Sequence, residues 1–199
     1  SRSRTLKEIQ GDIQAALTGG AKEIVLTGVQ LGAWGRDFPT PIGFDKLLSG
    51  ILDMDGYERL RLSSIEPWDF DPAILTYWQN DRMCRHLHIP LQSGDDGILR
   101  AMRRPITSQA FTELIENIRN LIPDVAVTTD IITGFPGESK MAFNETISLI
   151  NAIGFAGGHV FTYSPRPGTA AFNMKDTVPI QIAKARNASL RKIFMESGR

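Results

Sequence analysis

The stretch TTDIITGFPGES, Thr128 to Ser139, sets an acid, Asp130, inside an apolar run and then breaks the chain at Gly134, Pro136 and Gly137. Similar mixtures close the other extended runs: Thr27-Gly28-Val29-Gln30, Ser63-Ser64-Ile65-Glu66-Pro67, Pro90-Leu91-Gln92-Ser93-Gly94 and Tyr163-Ser164-Pro165-Arg166-Pro167-Gly168. Glu66 and Asp130 can accept hydrogen bonds from an ammonium group or from ribose hydroxyls, and Arg104 can fork a carboxylate. Gly28, Gly94, Gly134 and Gly137 let a ligand and the backbone approach closely. The set suits a polar, zwitterionic or hydroxyl-rich small molecule.

Taken singly, each residue has a plainer duty. A glycine is usually a turn, Glu66 before Pro67 reads as a solvated loop acid, and PGES reads as a turn followed by a helix cap. Arg103-Arg104 reads as a solvated face. Recurrence at every strand end is what favours a binding rim. Two other chemistries compete. His86 and His88 stand two apart, so on a strand both rings share a side; with His159 they suggest a metal-dependent hydrolase. Both lie well before the strand end, where a satisfied inward polar layer explains them more simply. Cys84 as a nucleophile is weaker still, since a partly buried thiol is the default. Trp34 and Trp68 either stack on a nucleobase or anchor their loops, and anchoring is the simpler expectation.

The elements that must place these residues follow from periodicity. Leu6, Ile9, Ile13, Ala16 and Leu17 recur at helical spacing over 5–17, closed by Gly19-Gly20. Short apolar runs predict strands over 23–29, 59–65, 85–91, 124–132 and 157–163. Helices are clearest over 108–121, capped by Thr107 or Ser108, and over 140–153, stopped by Gly154. Strands alternating with helices predict βαβ units and a parallel sheet, in which ligands bind at the carboxyl ends of the strands. Five strands are too few for a closed eight-stranded barrel. The expectation is an α/β fold with a partial, TIM-like (β/α) barrel that lacks its first strand.

The chain has 199 residues with 42% hydrophobic and 22% charged residues, an ordinary globular balance. A formal net charge of zero excludes a strong whole-chain field for nucleic acid and leaves room for a local patch. A single cysteine, Cys84, rules out an intrachain disulfide and cannot by itself hold an iron–sulfur cluster. No apolar run approaches the roughly 18 residues of a membrane span, and a cytoplasmic setting is expected.

The five strand-end stretches, extended to LTGVQLGAWG, LRLSSIEP, LHIPLQSGDDGILRAMRRPIT, TTDIITGFPGES and FTYSPRPGTAA, resemble the radical S-adenosylmethionine methylthiotransferases. They cover nearly the whole chain in the family's order. LTGVQLG looks like the branch acting on threonylcarbamoyladenosine-37 of tRNA; the isopentenyladenosine-37 and ribosomal-protein branches are the alternatives. The resemblance implies that S-adenosylmethionine lies across a partial barrel. Glu66 would meet its methionine amino group, Arg104 the carboxylate, Gln92 and Asp130 the ribose. Gly28 would lie against the methionine end, and Gly134 with Phe135 on the adenine side. It implies a tRNA substrate, a reductant protein and 4Fe–4S clusters whose cysteines lie outside this chain. The family's C-x3-C-x2-C loop precedes a segment ending in SR, where this chain begins, so the 199 residues read as a core-domain fragment, inert alone and without the N-terminal cluster domain and C-terminal RNA-binding domain. A non-catalytic nucleotide-binding barrel is the reading from another class.

Overall fold

The computed structural model describes residues 2–197; Ser1 of the opening SRSR lies outside them. They form two compact units, residues 2–88 with Ile118–Val125, and Ile89–Asn117 with residues 126–197.

The first unit opens with helix α1 (Leu6–Thr18). Thr5 caps it: its side chain accepts from Glu8 N while the Glu8 carboxylate takes Thr5 N–H, a reciprocal box. Strand β1 (Glu23–Leu26), helix α2 (Phe44–Leu52) and strand β2 (Arg59–Leu62) follow. β1 and β2 pair in parallel, Glu23 opposite Arg59 through Leu26 opposite Leu62. Ile24, Leu26, Leu60 and Leu62 are buried, with Leu47, Leu48 and Ile51 of α2 also in the core. On alternate positions Glu23 accepts from Arg59 Nε and Arg61 Nε, each at 2.7 Å. Strand β3 (His86–His88) completes the unit's strands; Ile65 N donates to His88 O at 3.0 Å.

The second unit holds α3 (Asp96–Ala101), most of α4 (Ser108–Leu121), β4 (Ala126–Thr133), α5 (Lys140–Ile153), β5 (Gly157–Thr162) and α6 (Ile180–Ser197). β4 and β5 pair in parallel, Thr128 opposite Gly157 through Thr133 opposite Thr162. Ser139 caps α5, and Gly154 ends it in the left-handed conformation at φ 62°. Thr107 rather than Ser108 caps α4, accepting Ala110 N–H.

The expected parallel strands and both clearest helices are present. The strands are shorter than the apolar runs. β1 ends at Leu26 and β2 at Leu62, so Gly28 and Glu66 lie in loops beyond them. After His88 the ladder turns irregular: Ile89 N bonds Thr128 O, but Leu91 N bonds the Thr129 hydroxyl, with Pro90 between them offering no donor. α2, α3 and α6 went unlocated in the periodicity.

Candidate functional site

The second unit gathers most of the expected residues. Gln92 takes a left-handed backbone, φ 73°, which few non-glycine residues adopt. Two ladder bonds hold it there: Gln92 N donates to Asp130 O at 2.7 Å, and Ile132 N donates to Gln92 O at 3.0 Å. Its side-chain oxygen is buried without a hydrogen-bond partner among the described residues. A strained residue carrying an unsatisfied acceptor is an arrangement that a donor ligand would complete.

Arg104 follows α3, which ends through Arg103 at φ 58° with Arg104 N bonded to Leu99 O. Its Nη2 donates to Pro90 O at 2.7 Å. Far from being a solvated helix face, the guanidinium is tied two residues before Gln92. Asp130 is half-buried on β4, and its Oδ1 lies 3.1 Å from His159 Nδ1 on β5.

The bend after β4 is braced from within. Glu138 is buried, and its Oε2 accepts Gly134 N–H at 2.7 Å and Arg186 Nη1 at 2.5 Å. Arg186 Nη1 also reaches Glu138 O at 2.8 Å, and the guanidinium lies over the Phe143 ring, 5.1 Å from its centre. Glu138 therefore serves the bend rather than the start of α5. Gly134, φ 78°, sits where an added Cβ would meet Ala183 Cβ of α6 at 2.4 Å. Phe135 is buried and packs edge-on against Tyr163, 5.2 Å between centres, in a cluster with Ile98, Met102 and Met174. The Tyr163 hydroxyl is buried without a partner among the described residues.

Some expectations need correcting. Gly94 serves packing: a Cβ there would stand 2.6 Å from Thr146 Cα, and Gly94 N already bonds the Thr146 hydroxyl. Arg186 stands among charged residues near the C-terminus, yet its side chain is 11% exposed. In the structure Ala183, Leu190 and Phe194 form a buried stripe that passes through position 186 or 187, which puts Arg186 on the inward side of α6.

In the first unit, Gly28 and Glu66 follow the paired strands β1 and β2. Nothing lies nearer than 3.7 Å to a Cβ at Gly28, so packing alone does not demand that glycine. Glu66 is half-buried before the turn Pro67–Asp69 and does not cap it. A pocket of about 820 Å³ runs from α1 to the end of β1, lined by Val25, Thr27, Gly28 and Trp34. Trp34 is buried and donates Nε1–H to Arg4 O, an anchor as expected. Burial pushes the Cys84 thiol up, which disfavours a reactive thiolate. His86 and His88 do share a side of β3, with Leu87 buried between them; burial, then Arg61 and His88, pushes the His86 imidazole down, so it stays neutral near pH 7.

Parallel β/α units with polar strand ends define the fold class, and comparison with known structures agrees. Coproporphyrinogen III oxidase from Escherichia coli, a radical SAM enzyme, superposes at TM-score 0.68 and 15% identity over 89% of this chain and 41% of its own. The radical S-adenosylmethionine methyltransferase TsrM from Kitasatospora setae gives 0.63 and 16% over 80% and 31%. The fold is thus the α/β partial-barrel fold of radical SAM proteins. The sequence profile of the Radical SAM superfamily matches residues 1–150, and the chain belongs to that superfamily. S-adenosylmethionine and a 4Fe–4S cluster are the cofactors that membership implies. Among curated relatives, the tRNA-2-methylthio-N(6)-dimethylallyladenosine synthases of Thermobifida fusca and Caldicellulosiruptor saccharolyticus are 39% and 38% identical over 96% and 98% of this chain. The chain spans about two-fifths of their length, 39% and 42%.

The two implied cofactors fit differently. Gln92, with its unsatisfied buried oxygen, and the polar strand ends suit a nucleoside. One cysteine in 199 residues does not suit a cluster that needs three or four thiolates.

Proposed function

We propose that this chain is the central part of a tRNA methylthiotransferase that modifies C2 of an N6-substituted adenosine at position 37. The observation that carries the reading is continuous similarity, 38% or more over 96–98% of the chain, to the two synthases named above. Those relatives support dimethylallyladenosine as the substrate. Threonylcarbamoyladenosine is the second reading, and LTGVQLG at residues 26–32 is what favours it. The metal-hydrolase and nucleotide-binding-barrel readings gain nothing from these relatives.

S-adenosylmethionine, given an electron by the cluster, supplies radical chemistry at an unreactive C–H bond. The residues of this chain orient the cofactor and need not move a proton in that step. Gln92 and Asp130 would take ribose hydroxyls, Arg104 the methionine carboxylate, and the Gly134–Phe135 bend the adenine side. For Gly28 and Glu66 the family resemblance alone speaks. Rigid placement is the contribution that matters, because a reactive centre displaced by about 1 Å loses rate by orders of magnitude. The whole protein would work in the cytoplasm with a reductant protein.

The test is reaction of the full-length, cluster-loaded protein with anticodon stem-loops carrying either modification, followed by mass spectrometry of the nucleosides. A methylthio product from the dimethylallyl stem-loop supports the first reading. Product from the threonylcarbamoyl stem-loop alone transfers the assignment to the second. Product from neither overturns both.

A further inference from the structure

Helix α6 (Ile180–Ser197) lies past residue 150, where the match to the superfamily profile ends, yet it is stitched to β4 and β5. Thr133 Oγ1 donates to Ala183 O at 3.1 Å, and Asn187 Nδ2 donates to Val160 O at 2.8 Å. Gly134 and Gly158 bring their backbones against Ala183 and Phe194. Arg186 reaches further, into the bend after β4. Its Nη1 meets both the carboxylate and the carbonyl of Glu138, whose Oε2 also takes the Gly134 N–H. The bend is left-handed at both of its glycines, φ 78° at Gly134 and 88° at Gly137. Backbone bonds tie it elsewhere: Glu138 N to Phe135 O at 2.9 Å, and Gly137 N to Asp176 O at 2.7 Å.

We infer that Arg186 is a positioning residue for S-adenosylmethionine, acting through Glu138 on the Gly134–Phe135 bend. A carboxylate as buried as that of Glu138 keeps its charge because a cation lies against it. Without Arg186 it must take up a proton or turn toward water. Either change weakens or releases its bond to the Gly134 N–H. Gly134 and Phe135 then lose the geometry proposed to receive the adenine end of the cofactor. Arg186 needs no contact with the ligand for this. The effect belongs to one end of the cofactor, because Gln92 is fixed by its ladder bonds to β4 and Arg104 by Pro90 O, neither of which involves α6. The inference rests on the proposed cofactor site and gives a helix beyond the matched profile control over its adenine side.

The test uses the full-length, cluster-loaded protein and two fragments of the cofactor, 5′-methylthioadenosine and methionine. Each displaces labelled S-adenosylmethionine in equilibrium dialysis. Arg186→Met should weaken 5′-methylthioadenosine about tenfold and leave methionine unchanged. Arg186→Lys keeps a cation for Glu138 and should restore most of that affinity. Leu190→Ala opens a cavity at a fully buried position of the same helix and controls for lost stability. It should bind both fragments as wild type does. Equal weakening of both fragments by Arg186→Met, or the same selective weakening by Leu190→Ala, overturns the positioning role and spares the cofactor site. Unchanged affinity for 5′-methylthioadenosine in Arg186→Met overturns that role too. Failure of 5′-methylthioadenosine to displace the cofactor from wild type overturns the adenine-side reading of the bend and the inference with it.

Discussion

At the residue scale, the Glu138–Arg186 pair shows why a charge inside a fold must be read with its partner. Both side chains are almost wholly withdrawn from solvent, 3% and 11% exposed. Their mutual attraction has to offset the loss of water, and the Gly134 N–H and Glu138 carbonyl supply the remaining bonds. Arg186→Met strands a buried carboxylate and should lower stability by about 3 kcal/mol. Glu138→Gln/Arg186→Met removes both charges, keeps an acceptor for Gly134 N–H, and should recover much of that loss. Chemical denaturation of wild type, both single variants and the double variant measures the coupling. Additive losses would show that the two groups do not act as a pair. The bend that this pair fixes carries Gly134 and Phe135, so a local ion pair bears directly on the geometry proposed for the cofactor.

At the scale of elements, the close approach of α6 to the end of β4 depends on Gly134. A side chain there meets two separate obstacles, a left-handed backbone and the Ala183 methyl. Gly134→Ala should therefore destabilise the protein by about 3 kcal/mol, the sum of a conformational and a steric contribution. Adding Ala183→Gly removes the steric part and leaves the conformational part, so the double variant should melt above Gly134→Ala despite the weaker helix propensity of glycine. A double variant no better than Gly134→Ala would place the whole penalty in the backbone. The same contact explains what the sequence could and could not disclose. The polar turns after the strands were legible because apolar alternation gives way at Thr27, Ser63 and Gly134, although the predicted runs overshot the ends of β1 and β2, which close at Leu26 and Leu62. The helices over 108–121 and 140–153 were legible from a full apolar stripe and recognisable caps. α6 was not, because its stripe includes Arg186, whose burial needs a partner 48 residues away. Gly94 misled for a related reason. A glycine required by a ligand and one required by a neighbouring helix look alike until Thr146 is seen against it.

For the molecule as a whole, the governing fact is a mismatch between fold and ligand inventory. The chain folds as a radical SAM protein and belongs to that superfamily, yet among its 199 residues Cys84 is the one thiol. Burial also raises the pKa of Cys84, which disfavours the thiolate that coordination requires. Anaerobic treatment of these 199 residues with iron and sulfide should therefore leave no bound 4Fe–4S cluster by absorption or electron paramagnetic resonance. Without that electron source, no 5′-deoxyadenosine should form from S-adenosylmethionine and dithionite. Cofactor binding should persist in weakened form, because contacts such as those of Gln92 and Arg104 do not depend on iron. Gln92→Ala should weaken it further, a loss that equilibrium dialysis with labelled S-adenosylmethionine can follow. Stoichiometric cluster formation on this chain would mean that non-cysteine ligands suffice and would overturn the division of labour argued here. Cofactor affinity indifferent to Gln92 would leave its strained backbone and unsatisfied oxygen without the ligand they were inferred to meet.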